Sequence, residues 1–157
     1  MRLAGIFVMA ACSTQSGHMA SNQSLSSDTE SALRSALEDE RDAEDTYAAV
    51  MTKHGEMRPF ANIIHAERRH QQELIALFES YGIEVPKRHA KAIEVPTTIA
   101  GACRQAIEAE TRNIAMYDKL LAGIEQEDIR QTFLRLQTAS RDRHLPAFER
   151  CLGRRSE

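Results

Sequence analysis

A glutamate and a histidine three residues apart carry the clearest chemical signal in the sequence. Glu67 and His70 frame the segment Glu-Arg-Arg-His, and this spacing places both side chains on one face of a helix. Carboxylate and imidazole groups bind divalent metals such as iron, manganese and zinc. In carboxylate-bridged helical bundles, a Glu-x-x-His pair is a recurring metal-binding device. Because the pattern also arises often by chance, its meaning depends on its surroundings.

Three other polar residues share the setting of this pair. Glu40, Glu110 and His144 also interrupt apolar stripes of helical period near the middle of predicted helices. A buried, isolated carboxylate is costly and needs a partner, a proton or a metal. So many polar residues in apolar stripes indicate one shared partner. The residues that would share this partner are the following: Glu40, Glu67, His70, Glu110 and His144.

Four predicted helices must position these residues. Apolar stripes of helical period run over residues 33–51, 60–81, 103–124 and 129–151. Residues that are typical of helix starts and ends lie beside these stripes. They are Ser27 with Glu30 as a capping box before the first helix, Gly55 and Pro59 after it, Gly82 after the second, Thr97 or Thr98 as the cap of the third, and Gly123 at its end.

The chain between the second and third helices is long. Residues 82–97 contain Pro86 and Pro96 and have no helical period. Fully extended, such a connection spans roughly 50 Å, enough to run the length of a bundle. Short loops join the helices on either side of it. This order predicts an all-α fold, a ferritin-like four-helix bundle of two antiparallel hairpins joined by a long crossover.

The two predicted hairpins are similar in sequence. Residues 36–47 match residues 106–117 at a constant offset of 70. The match pairs the glutamates and the tyrosines of the two halves, Glu40 with Glu110 and Tyr47 with Tyr117. A repeated hairpin would form a pseudo-twofold site between its two copies.

Tyr47, Tyr117 and Glu44 lie near the predicted ligands. The tyrosines are first of all core residues whose hydroxyls need acceptors, and support of a glutamate or histidine ligand is the alternative role. Glu44 shares the stripe of Glu40. It is either a further ligand or, in the interpretation we favour, a salt-bridge partner.

The sequence resembles the ferritin-like superfamily and, more closely, a bacterial branch of small rubrerythrin-related domains. The resemblance covers about residues 30–152 and is carried by residues 36–47, 59–70, 81–83 and 144–148. Di-iron members of the superfamily use one Glu from each of the first and third helices and a Glu-x-x-His from each of the second and fourth. The resemblance implies two iron ions that act on dioxygen, peroxide or ferrous iron, as in a ferroxidase or a peroxidase. It gives their ligands as Glu40, Glu67, His70, Glu110 and His144.

One residue departs from the pattern of the superfamily. Arg141 stands three residues before His144, where a glutamate is expected. Loss of a carboxylate weakens the second metal position, so the site holds two ions or only one, and manganese or zinc could replace iron. Arg141 either brings a fixed cation near the site, or points outward or pairs with Glu44 and leaves Ser140 facing inward.

Two cysteines flank the predicted ligands of the second hairpin. Cys103 lies seven residues before Glu110, and Cys151 lies seven residues after His144. With Glu110 and His144 at one level of an antiparallel hairpin, both cysteines fall roughly 10 Å to the same side of that level. We predict a Cys103–Cys151 disulfide if the protein matures outside the cytoplasm. Two reduced core cysteines are the alternative.

The N-terminus has the features of a bacterial lipoprotein signal. Residues 1–12 contain a short apolar run and end on Ala10-Ala11-Cys12; in such signals the cysteine is lipidated and becomes the new N-terminus. Residues 13–27 predict a flexible tether, and residues 28–153 form the predicted domain. We expect a periplasmic or outer-membrane lipoprotein of the cell envelope, with the lipid on Cys12 as its only membrane contact. A simple secretory leader is the alternative.

Length and composition narrow the classes of function. The chain has 157 residues, with 20 Lys and Arg against 23 Asp and Glu, which predicts one domain and gives no reason to expect a nucleic-acid partner. It has no Cys-x-x-Cys pair, so it is not a complete rubrerythrin and any electron donor must be external. Two other functions stay open: a metal-binding protein without catalysis, and a metal-free helical interaction module.

Overall fold

The structure is a computed structural model that describes residues 24–154. These residues contain helices and connecting loops and no strand. The helices are α1 (Ser27–His54), α2 (Phe60–Ser80), α3 (Ile99–Leu121), α4 (Glu127–Ala139) and α5 (Leu145–Gly153), and a π-helical turn (Ser140–His144) joins α4 to α5. Because the backbone stays helical through this turn, α4 and α5 together make the fourth helix of a bundle. The prediction of an all-α fold with four helices is confirmed.

The predicted leader lies outside the described residues. This applies to residues 1–12, with Cys12, and to most of the predicted tether over residues 13–27. α1 begins at Ser27, the last residue assigned to that tether. Within residues 24–154, none of the helices combines the length and the apolar character that a membrane crossing requires.

The cap of α1 lies one residue earlier than the sequence predicted. The Ser26 hydroxyl accepts a hydrogen bond from the Thr29 N–H at 3.1 Å. Ser26 has the extended backbone that a cap needs, whereas Ser27 is already helical. The predicted capping box of Ser27 with Glu30 is therefore wrong, and Glu30 instead forms an ion pair with Arg34 at 2.5 Å.

The other helix ends follow the sequence signals closely. Gly55 follows α1 with a φ of 86°, a conformation that favours glycine. The Thr98 hydroxyl caps α3 by accepting from the Gly101 N–H at 3.0 Å, so Thr98 and not Thr97 is the cap. α3 ends at Leu121, two residues before the predicted stop at Gly123.

The bundle consists of two antiparallel hairpins. α1 packs against α2, and α3 packs against α4 and α5, while contacts of α1 with α3 and of α2 with α4 join the hairpins. Apolar side chains form two clusters, one around Leu33, Leu74 and Phe133 and the other around Phe60 and Phe148. The first cluster draws on the start of α1 and the end of α2, and the second on the end of α1 and the start of α2. The clusters therefore lie at opposite ends of the bundle, with a polar layer between them.

The crossover between the hairpins runs along α1. Nη1 of Arg41 donates a hydrogen bond to the carbonyl oxygen of Pro86 at 2.9 Å, and Nζ of Lys53 donates to that of Val95 at 2.7 Å. The later residue of α1, Lys53, contacts the later residue of the crossover, Val95, so the crossover runs parallel to α1. It brings the chain to the end of the bundle where α3 must begin.

The two cysteines of the second hairpin lie at disulfide distance. The Cα atoms of Cys103 in α3 and Cys151 in α5 are 6.0 Å apart. Both side chains are buried in the cluster around Phe148. The pair that the sequence spacing predicted is therefore brought together, and a bond between them ties α3 to α5.

Replacing both cysteines, with Cys103→Ala and Cys151→Ala, is expected to lower the free energy of unfolding. The bond joins residues that are 48 apart in sequence, and a crosslink over such a loop restricts the unfolded chain enough to contribute about 2–4 kcal/mol. Urea unfolding of the oxidised wild type and of the variant measures the difference. Reduced wild-type protein is the control and should match the variant. Equal stability of the oxidised and reduced wild type would contradict the prediction.

Candidate metal centre

The side chains predicted as metal ligands meet in the polar layer between the two apolar clusters. None of these five residues is more than 6% exposed. They form two groups that share one residue: site 1 is Glu40, Glu67 and His70, and site 2 is Glu67, Glu110 and His144. Within each group, one ligand atom from each residue lies within 4.8 Å of the others. This spacing allows one cation to contact all three side chains of a group.

At site 1 one imidazole nitrogen contacts two carboxylates. Nδ1 of His70 lies 3.0 Å from Oε2 of Glu40 and 3.1 Å from Oε2 of Glu67. The Glu-x-x-His spacing on α2 provides the second contact, whereas the first joins α2 to α1. Oε1 of Glu40 also accepts a hydrogen bond from the hydroxyl of Tyr117 at 2.8 Å. Site 1 therefore joins α1 to α2, and Tyr117 connects it to α3.

At site 2 the imidazole nitrogen lies close to carboxylates but makes no hydrogen bond. Nδ1 of His144 is 3.2 Å from Oε1 of Glu67 and 3.5 Å from Oε2 of Glu110. It is buried and has no hydrogen-bond partner within residues 24–154. Such an atom suits a metal ligand, because a buried nitrogen beside two carboxylates can exchange its proton for a cation. The geometry of site 2 thus fits a cation.

The tyrosines relate the two sites by a pseudo-twofold arrangement. The hydroxyl of Tyr47 on α1 donates to Oε1 of Glu110 on α3 at 2.6 Å. In the opposite sense, the hydroxyl of Tyr117 on α3 donates to Oε1 of Glu40 on α1. Each tyrosine therefore orients the carboxylate of the other hairpin, which is the kind of outer contact that holds metal ligands in place. The repeat at an offset of 70 in the sequence is visible here as paired hydrogen bonds.

The charges of the cluster balance one another without a cation. Burial raises the pKa of Glu40 to about 8. Burial also disfavours charged imidazoles, but the neighbouring carboxylates outweigh it and raise the pKa of His70 to about 10 and that of His144 to about 9. Burial would raise the pKa of Glu67, but the two histidines lower it to about 2. At neutral pH, Glu67 is thus a carboxylate between two imidazolium groups.

Arg141 does not enter the site. Its side chain is 51% exposed, and its Nη2 donates a hydrogen bond to Oε1 of Gln137 at 3.1 Å. Ser140 faces inward instead and is 3% exposed. The residue at the position where the resemblance implied a fourth carboxylate, Arg141, therefore points to the surface. The neighbouring Ser140 faces the interior of the bundle.

Glu44 lies on the surface side of the ligands and makes salt bridges. Its Oε1 pairs with Nε of Arg68 at 2.7 Å, and its Oε2 pairs with Nη1 of Arg88 at 2.9 Å. The side-chain amide of Gln71 also donates to it at 3.0 Å. The structure thus places Glu44 with basic partners of α2 and the crossover and outside both three-residue groups.

The π-helical turn that carries His144 was missed in the sequence. The Leu145 N–H donates to the carbonyl oxygen of Ser140, five residues earlier, so one extra residue is inserted into the helix. The signal was Pro146, which cannot donate a backbone hydrogen bond inside a helix. The turn places this proline at the start of α5, where no N–H is needed.

Asp39 and Asn113 were also missed as neighbours of the site. The Asn113 amide donates to Oδ2 of Asp39 at 2.6 Å, and Asn113 is only 6% exposed. Burial, opposed by this hydrogen bond and reinforced by Glu110, raises the pKa of Asp39. The available signal was that Asn113 follows Glu110 by three residues and so shares its helix face.

Comparisons with known proteins address the fold and not the chemistry. No protein-family model matches the sequence, and no curated protein matches it significantly. Among solved structures, a hypothetical protein from Methanococcus jannaschii DSM 2661 is similar, with a TM-score of 0.77 and 24% sequence identity. The similarity covers 86% of this chain and 85% of that one. The helical bundle is therefore an arrangement that another natural protein adopts over most of its length.

Replacing Tyr117 by phenylalanine is expected to lower the free energy of unfolding of the metal-free protein. The substitution keeps the ring but leaves the buried Oε1 of Glu40 without its donor, at a cost of about 1–3 kcal/mol. Urea unfolding measures the change. Tyr81→Phe is the matched control, because it removes an exposed hydrogen bond to Asp128 and should cost roughly 0.5 kcal/mol or less. Equal effects of the two substitutions would contradict a positioning role for Tyr117.

Proposed function

We propose that this protein is a ferritin-like metal-binding protein that holds two divalent cations, one at site 1 and one at site 2. The cations are iron in the redox-active form, and the proposed activity is oxidation of ferrous iron or reduction of dioxygen or peroxide. Two ferrous ions, when bound, would supply the electrons for such a reaction. The surrounding residues bind the ions, orient the carboxylates and exclude water.

The observation that carries the proposal is the position of Glu67 in both groups. Its Oε2 faces His70 at 3.1 Å and its Oε1 faces His144 at 3.2 Å, so its two oxygens point to different sites. A carboxylate in this position can bind one ion with each oxygen, as in carboxylate-bridged metal pairs. The unpartnered Nδ1 of His144 supports the same interpretation.

Metal binding replaces protons in this cluster. Imidazole binds a cation only in its neutral form, so loading must displace the protons that the carboxylates hold on His70 and His144. Glu40, whose pKa is raised to about 8 by burial, must lose a proton as well. Glu40, Glu67 and Glu110 would then hold the cations, and the cations would supply the positive charge that these buried carboxylates need.

The choice of metal rests on the donor set. Three carboxylates and two imidazoles bind iron, manganese and zinc without sharp preference. Against two divalent cations, these three carboxylates leave one positive charge uncompensated. Arg141 stands where the resemblance implies a fourth carboxylate, and its side chain points outward. We infer that the second ion binds more weakly than the first.

A metal-free bundle is the competing function, and one observation favours it. Most polar atoms of the cluster have partners within the protein, through the two tyrosines and the contacts of His70 with Glu40 and Glu67. Against it stands Nδ1 of His144, which this network leaves without a partner in the described part of the chain. A metal-binding protein without catalysis would share the helical bundle and the two bound cations with our proposal and would differ only in lacking turnover.

The cysteine pair supports a location outside the cytoplasm. Disulfides persist in oxidising compartments, and Cys103 and Cys151 are at bonding distance. We propose that the protein acts in the cell envelope, attached through a lipid on Cys12. Labelling of the expressed protein with a radioactive fatty acid, lost in Cys12→Ser, tests the attachment.

Metal titration of the full-length chain tests the proposal. Equilibration with Fe²⁺ under argon, followed by desalting and elemental analysis, should give about two ions per chain, because both three-residue sites are filled. Glu67→Gln should lose most of both ions, since this residue belongs to both sites, whereas His144→Gln should lose one. Glu79→Gln is the matched control, an exposed glutamate on the same helix, and should bind as the wild type does.

The same variants separate the competing functions. Equal metal content in Glu67→Gln and in the wild type would contradict the proposed sites and leave the metal-free bundle. Two bound ions without oxygen or peroxide consumption would leave a metal-binding protein without catalysis.

A further inference from the structure

Sites 1 and 2 differ in their access to solvent. A cavity of about 350 Å³ lies between α1, α3 and the crossover. Its wall extends from exposed crossover residues such as Lys91 and Glu94 to the buried carboxylates of Glu67 and Glu110 and to Ser140. Among the described residues, the ligands of site 1 other than the shared Glu67 do not line it. The cavity therefore leads to site 2.

The wall of the cavity is negatively charged. Six acidic side chains line it against two basic ones. One of the basic residues, Lys91, is already paired with Glu38 at 2.6 Å and with Asp42 at 2.7 Å. Clefts lined by one sign of charge concentrate the opposite ion and repel like charge. The lining therefore favours a small cation and disfavours an anionic substrate.

Three buried polar atoms of the cavity wall and of site 2 have no hydrogen-bond partner within residues 24–154. Two of them, Oε1 of Gln105 and Oδ1 of Asn113, belong to residues that line the cavity, and Asn113 is 6% exposed. The third is Nδ1 of His144 at site 2. At site 1, by contrast, Nδ1 of His70 contacts two carboxylates at 3.0 and 3.1 Å. The atoms left to receive a cation thus lie on the cavity side of the cluster.

We propose that the cavity is the path by which a divalent cation enters and leaves site 2, with Asp39 and Asn113 receiving the ion on the way. Site 2 then holds an exchangeable ion, which is the substrate or cargo of the protein, and site 1 holds a resident ion. This inference rests on the proposed two-ion site and adds to it an order of binding and a division of roles. Ser140, a small residue in the cavity wall, keeps the inner end of the cavity open.

Chelator release of bound Mn²⁺ tests the path without any assay of catalysis. Full-length protein loaded with Mn²⁺ is mixed with excess EDTA, desalted at intervals and analysed for retained manganese. We expect two phases of one ion each, and His144→Gln should lack the fast phase. Ala109→Leu, which adds a side chain to the cavity wall, should slow the fast phase only. Ala115→Leu, an exposed position on α3 away from the cavity, is the matched control and should leave both phases unchanged.

A variant that changes the charge of the cavity wall tests the path independently of Ala109→Leu. Asp39→Asn keeps an oxygen that can accept from Asn113 but removes the charge, and should slow entry of the second Mn²⁺ by roughly tenfold, the lower end of what a charged cleft contributes to association rates. Glu108→Gln, an exposed glutamate of α3 outside the cavity wall, is its control and should leave the rate unchanged.

The outcomes distinguish this inference from the proposed function. Release of both ions in a single phase would overturn it. Equal release from Ala109→Leu and Ala115→Leu would overturn it as well. Binding of fewer than two ions by the wild type would overturn the two-ion function itself.

Discussion

The buried carboxylate of Glu67 is the constraint on which the rest of the structure depends. It is 2% exposed and lies between two imidazoles, 3.1 Å from His70 and 3.2 Å from His144. At this depth a carboxylate is stable only with positive charge beside it, which the imidazolium groups supply in the metal-free protein and divalent cations supply in the proposed loaded one. Because the two histidines belong to different hairpins, this charge balance also determines how the hairpins face each other.

The remaining features of the bundle support that arrangement. Tyr47 and Tyr117 connect the hairpins in opposite directions through Glu110 and Glu40. The apolar clusters at either end keep water from the polar layer, and hydrogen bonds and charge pairs are stronger in such a medium. The crossover covers one side of the polar layer incompletely. It leaves open the cavity whose inner wall includes Glu67. The same segment that holds the bundle together therefore also sets the access to its centre.

The sequence predicted the helices and the membership of the polar layer, because both depend on periodicity. Glu40 and Glu110 stood out as charged residues in apolar stripes, and the Cys103–Cys151 pair followed from the equal spacing of the two cysteines from the predicted ligands Glu110 and His144. The outward direction of Arg141 could not be decided in the same way, because a π-helical turn shifts the register by one residue and periodicity assumes a regular helix. The cavity was also not predictable, since it depends on where an irregular crossover lies over α1 and α3.

The shared role of Glu67 is the central claim, and electron paramagnetic resonance of the Mn²⁺-loaded protein tests it most directly. Two ions held by the two oxygens of Glu67 would lie about 4 Å apart, close enough for their electron spins to couple. We predict a spin-coupled spectrum from protein that carries two Mn²⁺ ions. The spectrum of isolated Mn²⁺ ions in protein of the same metal content would contradict the account, because it would place the ions too far apart to share Glu67.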